Sequence, residues 1–322
     1  MDGPVSVVVP CHTERRLPYL VRAVRSVQAQ RPAPVEVVVA VDHNDALLDR
    51  VRRELPEVTA VANEHPRGVS GNRNTGVRHT DTPVVALLDD DACAAPGWLT
   101  GLTAPFADPA VVGTGGAIRP DWERPRPAWF PDEFLWVVVG SYPGLPTETA
   151  PVRNVWSAGM AVRRDVFDLV GGFRLGFGKL GERNRPEDTD LCLRMSAVAG
   201  GLWMYVPHAS IDHLVPADRA RPRHFLRRCY AEGRGKVELA RLNDGRRSLG
   251  AEHSYLTRTL PRAVGRGLAD TLRGRGLANS ARAAAVLAGV AAAAAGGAVE
   301  LIRGYRPGRP TAPGAVPARV GE

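Results

Sequence analysis

Residues 84–91 read VVALLDDD, so five apolar residues end in three adjacent aspartates. A short run this uniformly apolar is typical of a strand in a parallel sheet that is covered on both faces. Three more apolar runs precede it, at residues 5–9, 35–41 and 58–61, with helical or turn-rich segments between them. The first crossover spaces its apolar residues three and four apart and can lie on the sheet: Leu17, Leu20, Val21, Val24 and Val27. We therefore predict an α/β fold with a doubly wound, mostly parallel sheet flanked by helices.

The three aspartates at the end of this strand predict a metal site. Neighbouring carboxylates repel one another unless a cation or strong hydrogen-bond donors neutralise them. Ligands bind at the carboxyl ends of parallel strands, and Mg²⁺ or Mn²⁺ prefers carboxylate oxygens. If the strand alternation persists, Asp89 and Asp91 point the same way and are the ligands. A solvated acidic turn is the alternative.

Composition restricts the class of protein. The chain of 322 residues is 44% hydrophobic, which supports a sizeable core and excludes disorder throughout. Its net charge is +8, and almost all of its positive charge comes from arginine, since Lys179 and Lys236 are its only lysines. The four cysteines are far apart and form no C-x-x-C pair, which fits a reducing cytosol. The first residues lack the pattern of a secretory signal, so we expect the catalytic part to stay cytoplasmic.

Two further segments are candidates for nucleotide binding. The first strand ends in VVVPCHTE, residues 7–14, and the second ends at Asp42; these two carboxyl ends form one crevice, where an aspartate can bond a nucleoside. Taken alone, Asp42 fits an ordinary turn equally well. Arg73, in the run GNRN of residues 71–74, can contact a diphosphate or simply begin a surface helix. G-x-G-x-x-G and P-loop motifs are missing, which disfavours dinucleotide oxidoreductases and P-loop enzymes.

The second half of the chain offers a base and a third ligand. Residues 186–195 read PEDTDLCLRM, and proline followed by three acids predicts a helix whose start faces a cleft. A carboxylate there can act as general base, although capping alone explains Glu187 or Asp188 in many helices. His213, which follows an expected strand at residues 203–206, is a candidate metal ligand or diphosphate contact, or a structural histidine.

In this order, the segments resemble the family 2 glycosyltransferases, which are inverting enzymes of GT-A fold. The resemblance covers residues 5–213 and rests on the motifs above together with PGWL at residues 96–99, GMAVRR at 159–164 and GGF at 171–173. It implies that Asp89 and Asp91 hold Mn²⁺ or Mg²⁺, that Asp90 lies near the ribose and Asp42 at the base, and that Asp188, less favourably Glu187, is the catalytic base.

The resemblance also implies further contacts. The nucleotide-sugar site includes Pro10, His12 and Arg73, and His213 joins the metal ligands. The acceptor site is expected at four residues: Trp156, Gly159, Gly172 and Arg194. Two departures from the family bear on base and sugar choice: His12-Thr13 replaces a common Tyr-Asn, and the turn after Asp42 lacks Gly-Ser. The processive-synthase motif Q-x-x-R-W is missing, so we expect transfer of a single sugar.

The domain prediction has three parts. Residues 1–220 form the catalytic domain, with a nucleotide half at 1–105 and an acceptor half at 106–220 that begins as an irregular connection. Residues 221–305 form a basic and apolar helical region, with a long helix at 223–242 and an uncharged stretch at 283–299. That stretch either spans a membrane or docks at its anionic surface beside the preceding arginines. Residues 306–322 are predicted to be disordered.

The sequence thus predicts transfer of a sugar from a nucleoside diphosphate, with a UDP-sugar favoured, to a glycan or lipid-linked acceptor at the inner face of the cell membrane. A sugar-nucleotide nucleotidyltransferase is one alternative, although the glycines it needs after the first strand are missing. The other is a non-catalytic basic module that binds membrane or nucleic acid. Nucleic acid is disfavoured because acidic clusters repel phosphate backbones.

Overall fold

The computed structural model of the chain describes residues 3–180, 183–242 and 254–303. In this part of the chain, one large sheet combines nine strands, and a short hairpin lies apart from it. The strands are β1 Val5–Cys11, β2 Glu36–Val41, β3 Thr59–Ala62, β4 Val84–Leu88, β5 Ala92–Ala94, β6 Val111–Trp122, β7 Ala150–Val152, β8 Gly159–Arg163, β9 Gly178–Leu180, β10 Arg183–Arg185 and β11 Leu202–Val215. The hairpin is β9–β10.

The large sheet has the order β3-β2-β1-β4-β8-β6-β11-β5, and β7 pairs with β11. Its first four strands are parallel, as the apolar runs predict. Beyond them the sheet is mixed, because β8 is antiparallel to both β4 and β6 while β6 and β11 are parallel. The predicted α/β class is confirmed, and the antiparallel β8 brings the second half of the chain beside the end of β4.

Helices cover both faces of the sheet. They are α1 Leu17–Gln28, α2 Asp45–Glu54, α3 Val69–Arg78, α4 Trp98–Thr103, α5 Arg164–Leu169, α6 Glu187–Ala199, α7 Pro222–Leu242, α8 Leu260–Leu272 and α9 Ala278–Arg303. Short 3₁₀ segments lie at Glu14–Arg16, Ala104–Ala107 and Asp132–Val138, and a π turn lies at Tyr255–Thr259. The predicted stripe of α1 is buried at Leu17, Leu20, Val24 and Val27.

One strand is longer than the sequence indicates. We expected a strand at residues 203–206 with His213 beyond its end, and this was wrong, since β11 continues to Val215. Pro207 and His208 interrupt the apolar pattern, but a register shift between Val206 and Ile211 lets the strand resume its pairing with β6. His213 therefore lies inside the sheet, opposite Ala92 of β5.

The C-terminal helices pack on the second half of the sheet. Phe130, Phe134 and Phe225 form an aromatic core between the 3₁₀ segment and α7. Glycines let α7 and α9 approach closely: a Cβ at Gly233 would overlap the backbone of Ala293, and one at Gly296 would overlap that of Tyr230. The predicted long helix at residues 223–242 is confirmed as α7. The predicted disordered segment 306–322 lies outside the described residues.

Candidate active site

The three aspartates lie in a tight turn between β4 and β5. The backbone N–H of Asp89 donates to the carbonyl oxygen of Ala158 at 3.1 Å, and the N–H of Ala92 donates to that of Asp89 at 3.1 Å. The chain then runs antiparallel to β11, so the N–H of Leu214 donates to the carbonyl oxygen of Asp91 at 2.9 Å. These backbone bonds fix the turn at the edge where the carboxyl ends of the parallel strands meet.

Asp89, Asp91 and His213 form a cluster whose ligand atoms all lie within 4.8 Å of one another. Nε2 of His213 is 3.4 Å from Oδ1 of Asp91 and 4.0 Å from Oδ2 of Asp89. Asp91 and His213 are buried, and Asp89 is partly exposed to the cleft. The predicted pairing of the first and third aspartates with the histidine is therefore present.

The donor set fits a divalent cation. The two carboxylates supply oxygen ligands of the kind that Mn²⁺ and Mg²⁺ prefer, and the imidazole adds a nitrogen ligand of the kind that transition metals bind. Burial lowers the pKa of His213 although Asp91 and Asp89 oppose this, so the ring is kept in the neutral form that binds metals. Burial alone would raise the pKa of Asp89, but the positive charge of Arg73 and its hydrogen bond to Asp89 prevail and lower it. Both groups thus favour their ligating state.

Asp90 points to a different partner. Its Oδ1 accepts a hydrogen bond from Nη1 of Arg16 at 2.7 Å, and burial raises its pKa to about 7 although Arg16 opposes the shift. Nη2 of the same guanidinium lies 3.0 Å from Oδ2 of Asp91. Sequence reasoning missed Arg16. The available signal was a pair of arginines directly before α1, at the edge where β1 ends.

Arg73 connects the metal cluster to the start of α6. Its side chain is buried, with Nη2 at 2.7 Å from Oδ1 of Asp89 and Nη1 at 3.2 Å from Oε1 of Glu187. The ring of Phe173 lies 5.4 Å from its guanidinium carbon. Two acidic motifs almost a hundred residues apart therefore share one cation.

Asp188 lies in the first turn of α6, next to Glu187. Its Oδ1 accepts a hydrogen bond from the backbone N–H of Thr189 at 2.7 Å. Burial, and then the negative charge of Glu187, raise the pKa of Asp188 to about 7. A carboxyl group with this pKa is well matched to proton transfer near neutral pH.

The crevice between the first two parallel strands is held by Asp42. Its Oδ1 accepts from Nδ2 of Asn63 at 2.7 Å and lies 2.8 Å from Nδ1 of His43, while its Oδ2 accepts from the N–H of Gly68 at 3.0 Å. Asp42 therefore fixes the start of α3, the helix of Arg73. Pro10 is buried in β1, and His12 is exposed beyond its end.

Comparison with known proteins identifies the family. The sequence model of the protein family described as Glycosyl transferase family 2 matches residues 6–171, just over half of the chain. The chain belongs to the family 2 glycosyltransferases. A glucosyl-dolichyl phosphate glucuronosyltransferase of Haloferax volcanii is 33% identical over 214 residues, which are 65% of this chain and 68% of the relative.

Two solved structures show that the fold is that of GT-A glycosyltransferases. One is a mannosyltransferase of Pyrobaculum calidifontis in complex with GDP-Man and Mn²⁺, which matches with a TM-score of 0.56 at 18% identity. The match covers 90% of this chain and 87% of the mannosyltransferase chain. GalNAc-T7 with UDP, GalNAc and Mn²⁺ matches with a TM-score of 0.52 at 18% identity, over 76% of this chain and 54% of its own.

The four residues that the resemblance to family 2 glycosyltransferases assigned to the acceptor form two contacting pairs, Trp156 with Gly159 and Gly172 with Arg194. Gly159 begins β8 beside the end of β4, and Trp156 packs on Tyr142 with ring centroids 6.0 Å apart. Arg194 lies on α6 and donates to the carbonyl oxygen of Gly172 at 2.7 Å. Gly172 has a φ of +67°, and a side chain there would meet Asn74.

Arg194 also carries a buried ion pair. Its Nε donates to Oδ2 of Asp190 at 2.8 Å, and Asp190 is completely buried. The second partner of this carboxylate is Arg174, at 3.2 Å. The contacts of Arg194 within the chain indicate that it supports the Gly172 turn.

We expect Arg194→Met to lower the free energy of unfolding by about 3 kcal/mol, because it leaves the buried carboxylate of Asp190 with Arg174 as its one remaining arginine partner among the contacts above. Urea unfolding measures the change. Arg52→Met is the control, because the Arg52–Asp49 pair is exposed and 3.9 Å apart, and its loss should cost less than about 0.5 kcal/mol. Equal unfolding curves for the two variants would contradict a structural role of Arg194.

Proposed function

We propose that this glycosyltransferase transfers a single sugar from a nucleoside-diphosphate sugar to an acceptor hydroxyl, with inversion at the anomeric carbon. The observation that carries the proposal is the bridge through Arg73. This side chain contacts both Asp89 of the metal cluster and Glu187, the neighbour of Asp188. This contact brings the residues that would bind a diphosphate and the residue that would act as general base into one cleft.

The donor would bind across the carboxyl ends of the first parallel strands. Asp89, Asp91 and His213 would hold Mn²⁺ or Mg²⁺, which supplies positive charge to the leaving diphosphate. Arg73 offers further positive charge beside them, Asp90 is proposed near the ribose, and the Asp42 crevice with Pro10 and His12 near the base. GDP-Man and UDP in the two similar structures support a nucleoside diphosphate, and we favour UDP.

Asp188 is proposed as the base. It takes the proton of the acceptor hydroxyl while the oxygen forms a bond to the anomeric carbon and the bond to the diphosphate breaks. A single displacement of this kind inverts the anomeric centre and requires no nucleophilic carboxylate. Glu187 is less suited, since its Oε1 is held by Arg73. Trp156, Gly159, Gly172 and Arg194 are proposed to shape the acceptor side.

The donor class is tested by thermal unfolding with UDP, GDP, CDP and dTDP, each with and without Mn²⁺. We expect one nucleotide, UDP by our proposal, to raise the melting temperature in a metal-dependent way, because a ligand that binds only the folded state stabilises it. The same stabilisation by nucleoside triphosphates together with pyrophosphate release would favour a nucleotidyltransferase. No response to any nucleotide would contradict the proposal and favour a non-catalytic module.

The base is tested with Asp188→Asn. We expect transfer to fall by about 10²–10⁴-fold while the nucleotide-dependent thermal shift is retained. The wild-type rate should rise with pH through about 7, because the base must be deprotonated and the pKa of Asp188 is raised to about 7. Initial rates between pH 5.5 and 8.5 measure both effects.

Asp165→Asn is the matched control for the base. Asp165 lies in the first turn of α5, and its Oδ1 accepts from the N–H of Val166 at 2.7 Å, the same local contact that Asp188 makes. We expect this variant to keep its activity. Normal turnover of Asp188→Asn, or an equal loss in the control, would exclude Asp188 as the base.

We also propose that the enzyme works at the cytoplasmic face of a membrane on a glycan or lipid-linked acceptor. The name of the Haloferax volcanii relative includes a dolichyl phosphate. Helix α9 is long and apolar enough to cross a bilayer, and only 17% of its most apolar 18-residue stretch is buried in the protein. Its one acid within residues 283–302, Glu300, pairs with Arg234 of α7 at 2.9 Å.

The tip between α8 and α9 combines apolar and basic groups. Leu272 and Leu277 are 89% and 80% exposed, and Arg273 and Arg275 lie between them with exposed side chains. Exposed leucines with flanking arginines are suited to the boundary of an anionic bilayer.

We expect the full-length protein to sediment with phosphatidylglycerol vesicles at low salt, and Leu272→Ser/Leu277→Ser to weaken this binding. Leu169→Ser is the control, because Leu169 is also exposed, at 68%, but lies on α5. Release by high salt would indicate surface attachment, and resistance to it a spanning α9. A wild-type protein that stays in the supernatant at low salt would refute the membrane proposal.

A further inference from the structure

Two arginines flank the Asp89, Asp91 and His213 cluster on its outer sides. Arg73 contacts Oδ1 of Asp89 at 2.7 Å, and Arg16 contacts Oδ2 of Asp91 at 3.0 Å. The other oxygens of these two carboxylates, Oδ2 of Asp89 and Oδ1 of Asp91, are the ones nearest to Nε2 of His213. Each guanidinium therefore holds one oxygen and leaves the second facing the cluster.

Arg16 makes two such contacts from one planar group. Its Nη1 donates to Asp90 at 2.7 Å while its Nη2 contacts Asp91, so the fork spans two adjacent carboxylates. A guanidinium presents its donors in a rigid geometry, and a bidentate arrangement fixes orientation as well as charge. The Arg16 backbone is fixed too, since its N–H donates to the carbonyl oxygen of Thr13 at 3.1 Å.

We infer that Arg16 is a positioning residue for the metal site, which orients Asp91 so that Oδ1 is the oxygen donated to the cation. The inference rests on the proposed function, because it assumes that the cluster binds a divalent metal. Partners that orient metal ligands are worth about 10–100-fold in metal affinity.

The alternative role of Arg16 has the opposite sign. If it acted only as a nearby positive charge, it would repel a divalent cation, and its removal would tighten metal binding. If it orients Asp91, removal lets the carboxylate turn and be repelled by Asp90, and metal binding weakens. The direction of the change therefore separates positioning from simple charge.

The test is a titration of the full-length protein with Mn²⁺ alone, in which electron paramagnetic resonance measures the concentration of free Mn²⁺. We expect Arg16→Gln to weaken Mn²⁺ binding by about 10–100-fold. Arg15→Gln is the matched control, since Arg15 is the exposed neighbour and its loss changes the net charge equally; its affinity should match the wild type. Unchanged or tighter binding by Arg16→Gln would overturn the inference.

A second variant, Arg16→Lys, separates the effect of the planar guanidinium from the effect of its charge and from a folding defect. It keeps the charge but loses the fork, so we expect a folded protein with Mn²⁺ affinity between those of the wild type and Arg16→Gln. Wild-type affinity in this variant would refute a role for the planar geometry.

The wild-type titration separates this inference from the proposed function. Mn²⁺ binding by the wild type together with equal binding by Arg16→Gln would refute the positioning role alone. A wild type that binds no Mn²⁺ would refute the metal site, and the role of Arg16 with it.

Discussion

The repulsion between three adjacent carboxylates is the constraint on which the site depends. Asp89, Asp90 and Asp91 directly follow a buried strand, where little water is available to screen them. Two cations reduce this repulsion, Arg16 from the 3₁₀ turn before α1 and Arg73 from α3, and the neutral ring of His213 in β11 lies beside the aspartates. The two arginines contact the outer oxygens and leave the inner ones on the side of Nε2 of His213, so charge neutralisation and the geometry of the cluster have the same structural origin.

Arg73 extends this constraint to the acceptor half. Because its guanidinium is buried between Asp89 and Glu187, the start of α6 is tied to the end of β4. The proposed base, Asp188, is next in the chain to Glu187, and the negative charge of Glu187 adds to the effect of burial in raising the pKa of Asp188. One ion-pair network therefore ties the metal-candidate cluster to the turn that carries Asp188, while burial is the main cause of the raised pKa of Asp188.

The sequence predicts the parallel half well, because β1, β2 and β4 are apolar on both faces and α1 has a clean apolar stripe. It also predicts that Asp89 and Asp91 lie together in a cluster that could hold a metal ion, since their type and their place directly after β4 are local features. It misses Arg16 and the length of β11. Both depend on partners distant in the chain: Arg16 is recognised only by its contact with Asp90, and β11 only by its pairing with β6 across an irregular stretch.

Gly172 and Arg194 show why a motif does not by itself define a contact with substrate. Arg194 donates to the Gly172 carbonyl, and the next residue, Phe173, exchanges two hydrogen bonds with the side chain of Asn74, both 2.8 Å long. Asn74 is the neighbour of Arg73 on α3, and the Phe173 ring lies against the Arg73 guanidinium. The glycine turn thus holds the helix that carries Arg73. Its influence on the chemistry can reach Asp89 through this series of packed groups, without any atom of the turn touching a sugar.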